Sequence, residues 1–301
     1  MASTAVSVSF EFFPPGDDGA AAHLWSTVLK LAPLRPRFVS VTYGADGSTR
    51  SRTHACVLRL LHETDLTVAP HLTCIGAPRE EIQGIARDYW DHGVRHLVAL
   101  RGDPAPRLPY RPHPGGFAFA SDLVLGLGGI APFDISVAAY PEGHPETGSV
   151  EADLENLKRK IDAGAHRAVT QFFFDTDVFL RYRDRCAAAG ICAPIVPGLL
   201  PITRFPQMLR FAERCGASVP DWLRSRFDGL DDDAETRRMI AAHVAIDQVQ
   251  RLRRHGVEEF HFYTLNRAEL TYAICHALGI RPRAALEATA AGPAAGTAAV
   301  A

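Results

Sequence analysis

The fingerprints that would place this chain quickly are missing from it. No G-x-G-x-x-G follows an apolar run and no G-x-x-x-x-G-K-[ST] occurs, so no glycine cradle for phosphates can be read off. The six cysteines, Cys56, Cys74, Cys186, Cys192, Cys215 and Cys275, contain no C-x-x-C pair. The closest two, Cys186 and Cys192, have no histidine nearby to complete a zinc set, so no metal centre is expected. They read as reduced, mostly buried thiols of a cytoplasmic protein, with Cys74, at a strand end, the best placed for reactivity. Charge of one sign is lacking too: 32 basic against 34 acidic residues leave a net charge of −2, and no nucleic-acid or acidic-membrane partner is expected. No apolar run nears the roughly 20 residues of a membrane span. Met1 to Val8 lacks the basic and apolar regions of a secretion signal.

What is present is a repeating order: an apolar run, one or two polar residues, a loop, then a helical pattern. Strands are expected at 6–13, 38–43, 67–74, 97–100, 134–140, 168–174, 193–201 and 257–265, and helices over 23–33, 52–63, 176–190, about 205–215, 219–230, 233–254 and 267–278. Ile82, Ile85, Ala86 and Tyr89 mark a further helix behind Pro78, and Val150, Leu154, Leu157 and Ile161 another. Ser121-Asp122 is expected to cap a short helix. Eight strands alternating with helices argue for an α/β fold, a single (β/α)8 TIM barrel over residues 1–280 with extra helices before the last strand. Residues 281–301, rich in Ala, Gly and Pro, read as a disordered tail.

Polar residues collect at the strand C-termini, the face of a parallel barrel where chemistry sits. In the first strand Val6, Val8, Phe10 and Phe12 share one face, and Ser7, Ser9 and Glu11 the other, which lines the interior. A carboxyl flanked by phenylalanines should be desolvated and its pKa raised above about 4.3, as suits a general acid. Leu97-Val98-Ala99-Leu100 runs into Arg101-Gly102-Asp103, which leaves a second carboxylate at a strand end. Thr42, His71 and Tyr140 stand at comparable places, and Gln171, inside an apolar strand, needs partners for its amide. Asp153, Asn156 and Lys160 share a helix face, by default a solvated one. Residues 104–118, without periodicity, read as a mobile loop. The residues alone reach a polar pocket with a candidate acid; they name no substrate.

Seven segments in order go further: Ser9-Phe10-Glu11-Phe12-Phe13-Pro14-Pro15, Val41-Thr42-Tyr43-Gly44-Ala45, His71-Leu72-Thr73-Cys74, Leu100-Arg101-Gly102-Asp103, Ala138-Ala139-Tyr140-Pro141-Glu142, Gln171-Phe172-Phe173-Phe174-Asp175 and Phe262-Tyr263-Thr264-Leu265-Asn266-Arg267. Together they resemble methylenetetrahydrofolate reductase, in its short bacterial form without a regulatory domain. The resemblance implies an FAD enzyme: NADH or NADPH reduces the flavin and leaves, then methylenetetrahydrofolate enters the same pocket and is reduced to 5-methyltetrahydrofolate, a ping-pong sequence feeding one-carbon metabolism and methionine synthesis. It makes Glu11 the general acid and puts Asp103 beside flavin and pterin. It implies flavin contacts from Thr42, Ala45, His71, Arg101, Gly102, Asp103, Ala120 and Tyr140, and from His144, Asp153, Asn156, Arg159 and Lys160. Substrate contacts fall to Gln171, Gln207, Phe211 and Arg267, and a homo-oligomer is implied. The family often has an aromatic hydroxyl where Phe119 stands, and loop 104–118 is longer than in the short form. Two rival readings are a flavin barrel acting on another substrate, in the manner of proline dehydrogenase, and a non-enzymatic pterin-binding or scaffold barrel. Glu11 argues against the first, since oxidation of a neutral amine has less need of a buried acid; uptake of a yellow cofactor would exclude the second.

Overall fold

A computed structural model describes residues 6–43, 50–104, 108–147 and 149–282. Its strands are β1 (Ser7–Phe12), β2 (Val39–Val41), β3 (Val68–Thr73), β4 (His96–Leu100), β5 (Asp134–Ala139), β6 (Arg167–Thr170), β7 (Ile195–Val196), β8 (Gly198–Leu199) and β9 (Glu259–Tyr263). All neighbouring pairs are parallel, in the order β7-β6-β5-β4-β3-β2-β1-β9-β8. The two ends of that order, β7 and β8, are separated in the chain by Pro197 alone. They are two halves of one stave, divided because proline has no N–H for the ladder. The barrel therefore closes as the expected eight-stave (β/α) cylinder, its seventh stave shared between two neighbours.

The helices surround it: α1 (Asp18–Leu31), α2 (Arg50–Glu63), α3 (Arg79–Asp91), α4 (Ala120–Gly128), α5 (Val150–Asp162), α6 (Thr176–Ala188), α7 (Phe205–Cys215), α8 (Asp221–Phe227), α9 (Ala234–Arg254) and α10 (Glu269–Ala277). The extra helices before the last strand are α8 and α9. Among the described residues no helix is long and apolar enough to cross a membrane. Of the tail expected from residue 281, residues 283–301 lie outside the described residues.

Two local expectations are corrected. The cap of α4 is not Ser121-Asp122 itself: Phe119 occupies the capping position, and the Asp122 carboxylate reaches back to accept from the Phe119 and Ala118 N–H groups at 2.9 and 3.1 Å. The sixth strand ends at Thr170, so Gln171 lies just past a strand rather than within one. Its neighbouring stave is only two residues long on that side, and the ladder stops with it. The described part of loop 104–118 is irregular as expected, but it is tethered. Phe117 is buried under the Arg79 guanidinium at 4.6 Å, and Tyr110 lies under that of Arg101 at 4.4 Å.

The alternation of β1 decides what faces where. Val8, Phe10 and Phe12 are at most 3 % exposed and join the main apolar cluster between barrel and helices. A second cluster joins Phe172 and Phe174 to α7, α8 and α9 through Phe205, Met208, Leu223, Phe227 and Val244. The barrel interior is polar at its lower end: Arg167 donates to Asp134 at 2.9 Å and to His96 at 3.2 Å, and Ser136 also bonds His96. Phe38 lies edge-on to His96 at 4.3 Å and roofs this layer.

Candidate active site

Above Phe38 the barrel is open. A cavity of about 290 Å³ reaches from Phe38 and Ser40 up past Glu11, His71, Gln171 and His261 to Phe211 on α7. It is continuous with a larger cleft of about 880 Å³ over the strand C-termini, through the shared walls Glu11, His71, Tyr140 and Cys215. Parallel strands place these groups there because their alternate residues point inward and their C-terminal residues end at one rim.

Glu11 sits where cavity and cleft meet, 9 % exposed. His71 Nε2 lies 3.3 Å and His261 Nε2 3.7 Å from its carboxylate, and Ser9 Oγ is 2.8 Å from His261 Nδ1. The expected rise in its pKa is overturned. Burial is the largest single influence and does push the pKa up. The polar contacts with His261 and His71 together outweigh it and hold the carboxyl down at about 2. The phenylalanines that suggested an apolar setting point the other way, into the helix layer; on the inner face Glu11 meets imidazoles from the adjacent strand β9 and from β3.

The cleft brings most of the anticipated residues together: Thr42, His71, Arg101, Gly102, Asp103, Ala120, Tyr140, His144, Asp153, Asn156, Arg159 and Lys160 all line it. Asp103 is largely exposed at the rim and shares Arg101 with Glu146, at 3.5 and 2.7 Å. The face Asp153-Asn156-Lys160 is a cleft wall, not a solvated surface. Asp153 is buried and accepts from the His144 N–H, and Lys160 Nζ donates to the Ala138 carbonyl at 2.5 Å. Desolvation lowers the Lys160 pKa to about 8, although Asp153 pulls the other way.

Gln171 and Phe211 line the inner cavity, and the Gln171 Oε1 already accepts from the Phe172 N–H at 3.0 Å. Gln207 and Arg267 line neither space, and Arg267 is exposed. Ala45 lies outside the described residues. The neighbour of Arg267 does the local work instead. Asn266 accepts from the Phe13 N–H at 2.8 Å and donates to its carbonyl at 3.0 Å, which clamps the chain just beyond Glu11. Leu265 and Asn266 both hold positive φ, 51° and 55°, to make that turn.

The sequence assigns no role to His261, Tyr263 or Thr73, and to Ser9 only a place on the interior face of the first strand. A signal existed: Glu259, His261 and Tyr263 alternate with Phe260 and Phe262 as Glu11 alternates with its phenylalanines. Cys74 is buried and its thiol is pushed up to about 11, chiefly by desolvation, which removes the case for a reactive cysteine there.

The cleft suits a long, polar, anionic cofactor such as FAD. Thr73 Oγ1 is buried on its wall without a hydrogen-bond partner, and cations stand along one side.

Comparison with known proteins agrees with this geometry. Residues 1–279 match the family profile described as methylenetetrahydrofolate reductase. The chain is 55% identical over 277 residues to 5,10-methylenetetrahydrofolate reductase of Escherichia coli K12, covering 92% of each. It is 35% identical over 291 residues to methylenetetrahydrofolate reductase (NADH) 1 of Arabidopsis thaliana, covering 90% of this chain and 48% of that one. Among solved structures, a Clostridium thermocellum protein described as binding two copies of 5-methyl-5,6,7,8-tetrahydrofolic acid shares the fold, with TM-score 0.62 at 13% identity over 92% of this chain and 95% of that one. The order of the seven motifs, the carboxylate at the barrel mouth and these likenesses have one explanation: the chain belongs to the methylenetetrahydrofolate reductase family of oxidoreductases.

Proposed function

We propose that this protein reduces 5,10-methylenetetrahydrofolate to 5-methyltetrahydrofolate with electrons from NADH or NADPH, and that FAD is held along the cleft. The observation that carries this reading is Glu11, a buried carboxylate poised between the deep cavity and the cofactor-sized cleft with two imidazoles at its back. The flavin, when bound, supplies hydride exchange between the nicotinamide and the folate.

The chain's own residues do the rest. Opening the five-membered folate ring needs a proton on the leaving nitrogen, and Glu11 is the group at the cavity mouth to deliver it. His71 and His261 stand beside the Glu11 carboxylate, and Ser9 fixes the ring of His261 there, so the two imidazoles are the neighbours through which Glu11 would be resupplied with a proton. Asp103, a second carboxylate on the cleft wall paired with Arg101 at 3.5 Å, would steady the cationic iminium by its negative charge. Lys160 and Arg159 would meet the cofactor's phosphates. Gln171 and Phe211 border the one interior space that two substrates must occupy in turn, which favours a ping-pong order.

Anaerobic stopped-flow spectroscopy tests the reading. The FAD-loaded protein should bleach with NADH or NADPH and regain its colour on adding methylenetetrahydrofolate. A protein that takes up no FAD, or whose bleached form ignores the folate, overturns it.

A further inference from the structure

On the outer helix layer, away from the cleft, three metal-ligating side chains converge. His54 projects from α2; Asp88 and His92 lie one turn apart at the end of α3. His54 Nε2 is 2.6 Å from Asp88 Oδ2, His92 Nδ1 is 3.4 Å from Asp88 Oδ1, and all three donor atoms lie within 4.8 Å of one another. We infer that His54, Asp88 and His92 form a surface site for a divalent transition-metal ion of the zinc type, joining α2 to α3.

The donor set selects the class of ion. Two imidazole nitrogens and one carboxylate oxygen suit Zn²⁺, Ni²⁺ or Cu²⁺, whereas Mg²⁺ and Ca²⁺ take all-oxygen sets. A tetrahedral ion with ligand bonds near 2.1 Å spaces its donors about 3.4 Å apart, so small side-chain movements bring this set to bonding geometry. His54 is held in place by packing, since its ring stacks at 5.6 Å on Tyr89, itself 1 % exposed. The ring of His92 stands edge-on to that of His54 at 5.8 Å, so the two imidazoles approach Asp88 from different directions. His92 Nδ1 also bonds the Asp88 carbonyl at 2.8 Å, a contact the ion would replace. Side-chain exposures of 34, 45 and 40 % for His54, Asp88 and His92 leave an entry path and room for water as the fourth ligand. The sequence hid the site because its donors come from two helices more than thirty positions apart and include no cysteine.

The test uses the holoprotein with any purification tag removed, after chelator treatment and dialysis. Titration with ZnCl₂ should show one saturable equivalent and raise the thermal midpoint, while MgCl₂ should not. His92→Ala and Asp88→Asn should each weaken Zn²⁺ binding by roughly 100-fold and remove the thermal shift, with circular dichroism and flavin content unchanged. Absence of a saturable equivalent overturns the inference. So does Zn²⁺ binding that survives both substitutions, which would place the ion on other histidines or on the exposed Cys192.

Discussion

Glu11 shows how far a residue's surroundings can reverse what its neighbours in sequence suggest. Two phenylalanines beside it in the chain imply desolvation; two histidines from nearby strands, β9 and β3, keep its carboxyl ionised. Glu11→Gln should leave flavin reduction by NADH near its parent rate and slow the folate half-reaction by about 100-fold or more, the usual share of a general acid. Equal loss in both half-reactions, read by stopped flow, would mean that Glu11 only shapes the pocket. Lys160 gives a pH-dependent counterpart. Its ammonium is destabilised by burial and loses its proton near pH 8. An anionic phosphate binds the protonated form, so FAD affinity should be flat below that pH and fall as pH rises through it, by up to about tenfold per unit. Fluorescence titration between pH 7 and 9.5 measures this, and Lys160→Met should bind more weakly but without the slope.

Among the elements, the seventh stave, β7 with β8, is the most constrained and the least regular. A Cβ on Gly198 would collide with the Thr170 carbonyl and stand 2.7 Å from the Tyr263 ring. Gly198→Ala should therefore cost about 1–3 kcal/mol or more, seen as a lower urea midpoint at unchanged slope. Asn266→Ala removes both clamps on Phe13 and places alanine at a φ of 55°; a loss of about 1–2 kcal/mol is expected, with a larger proportional loss of folate turnover than of flavin binding. These elements mark where sequence reading reached and where it stopped. The periodicity of β1, the stripe of α3 and the run ending at Arg101-Gly102-Asp103 are local patterns, and they placed the strands, the helices and a few residues of the cleft, Glu11, Thr42, His71, Asp103 and Tyr140; the wall formed by Asp153, Asn156 and Lys160 was anticipated only through the family resemblance. The division of the seventh stave at Pro197 and the early end of β6 depend on pairing between distant segments. The partners of Glu11 come from β3 and β9, so no window around residue 11 contains them. Arg267 drew attention through its motif, but the motif's work is done by the backbone turn and by Asn266.

At the scale of the whole molecule, the polar layer beneath Phe38 sets the response to acid. His96 is buried; desolvation above all, with Arg167 and other cations against the pull of Asp134, drives its pKa down to about 3. An unfolded chain protonates that imidazole near pH 6.5, so between those values the unfolded state binds the extra proton. Stability should accordingly fall as pH drops from about 6.5 towards 3. Between pH 7.5 and 5, above the range of ordinary carboxylates, urea midpoints of the parent should fall more steeply than those of His96→Gln.

The divided stave has a further consequence, in time rather than in space. Each of its halves pairs with a single neighbour over two residues, and the Tyr263 hydroxyl, bonded to the Thr170 carbonyl at 2.7 Å, spans the seam. A cylinder fails first at its narrowest plank. Amides of Val196 and Gly198 should exchange with deuterium sooner than those of β3 and β4, so the barrel opens most readily on the side that adjoins α7 and Phe211.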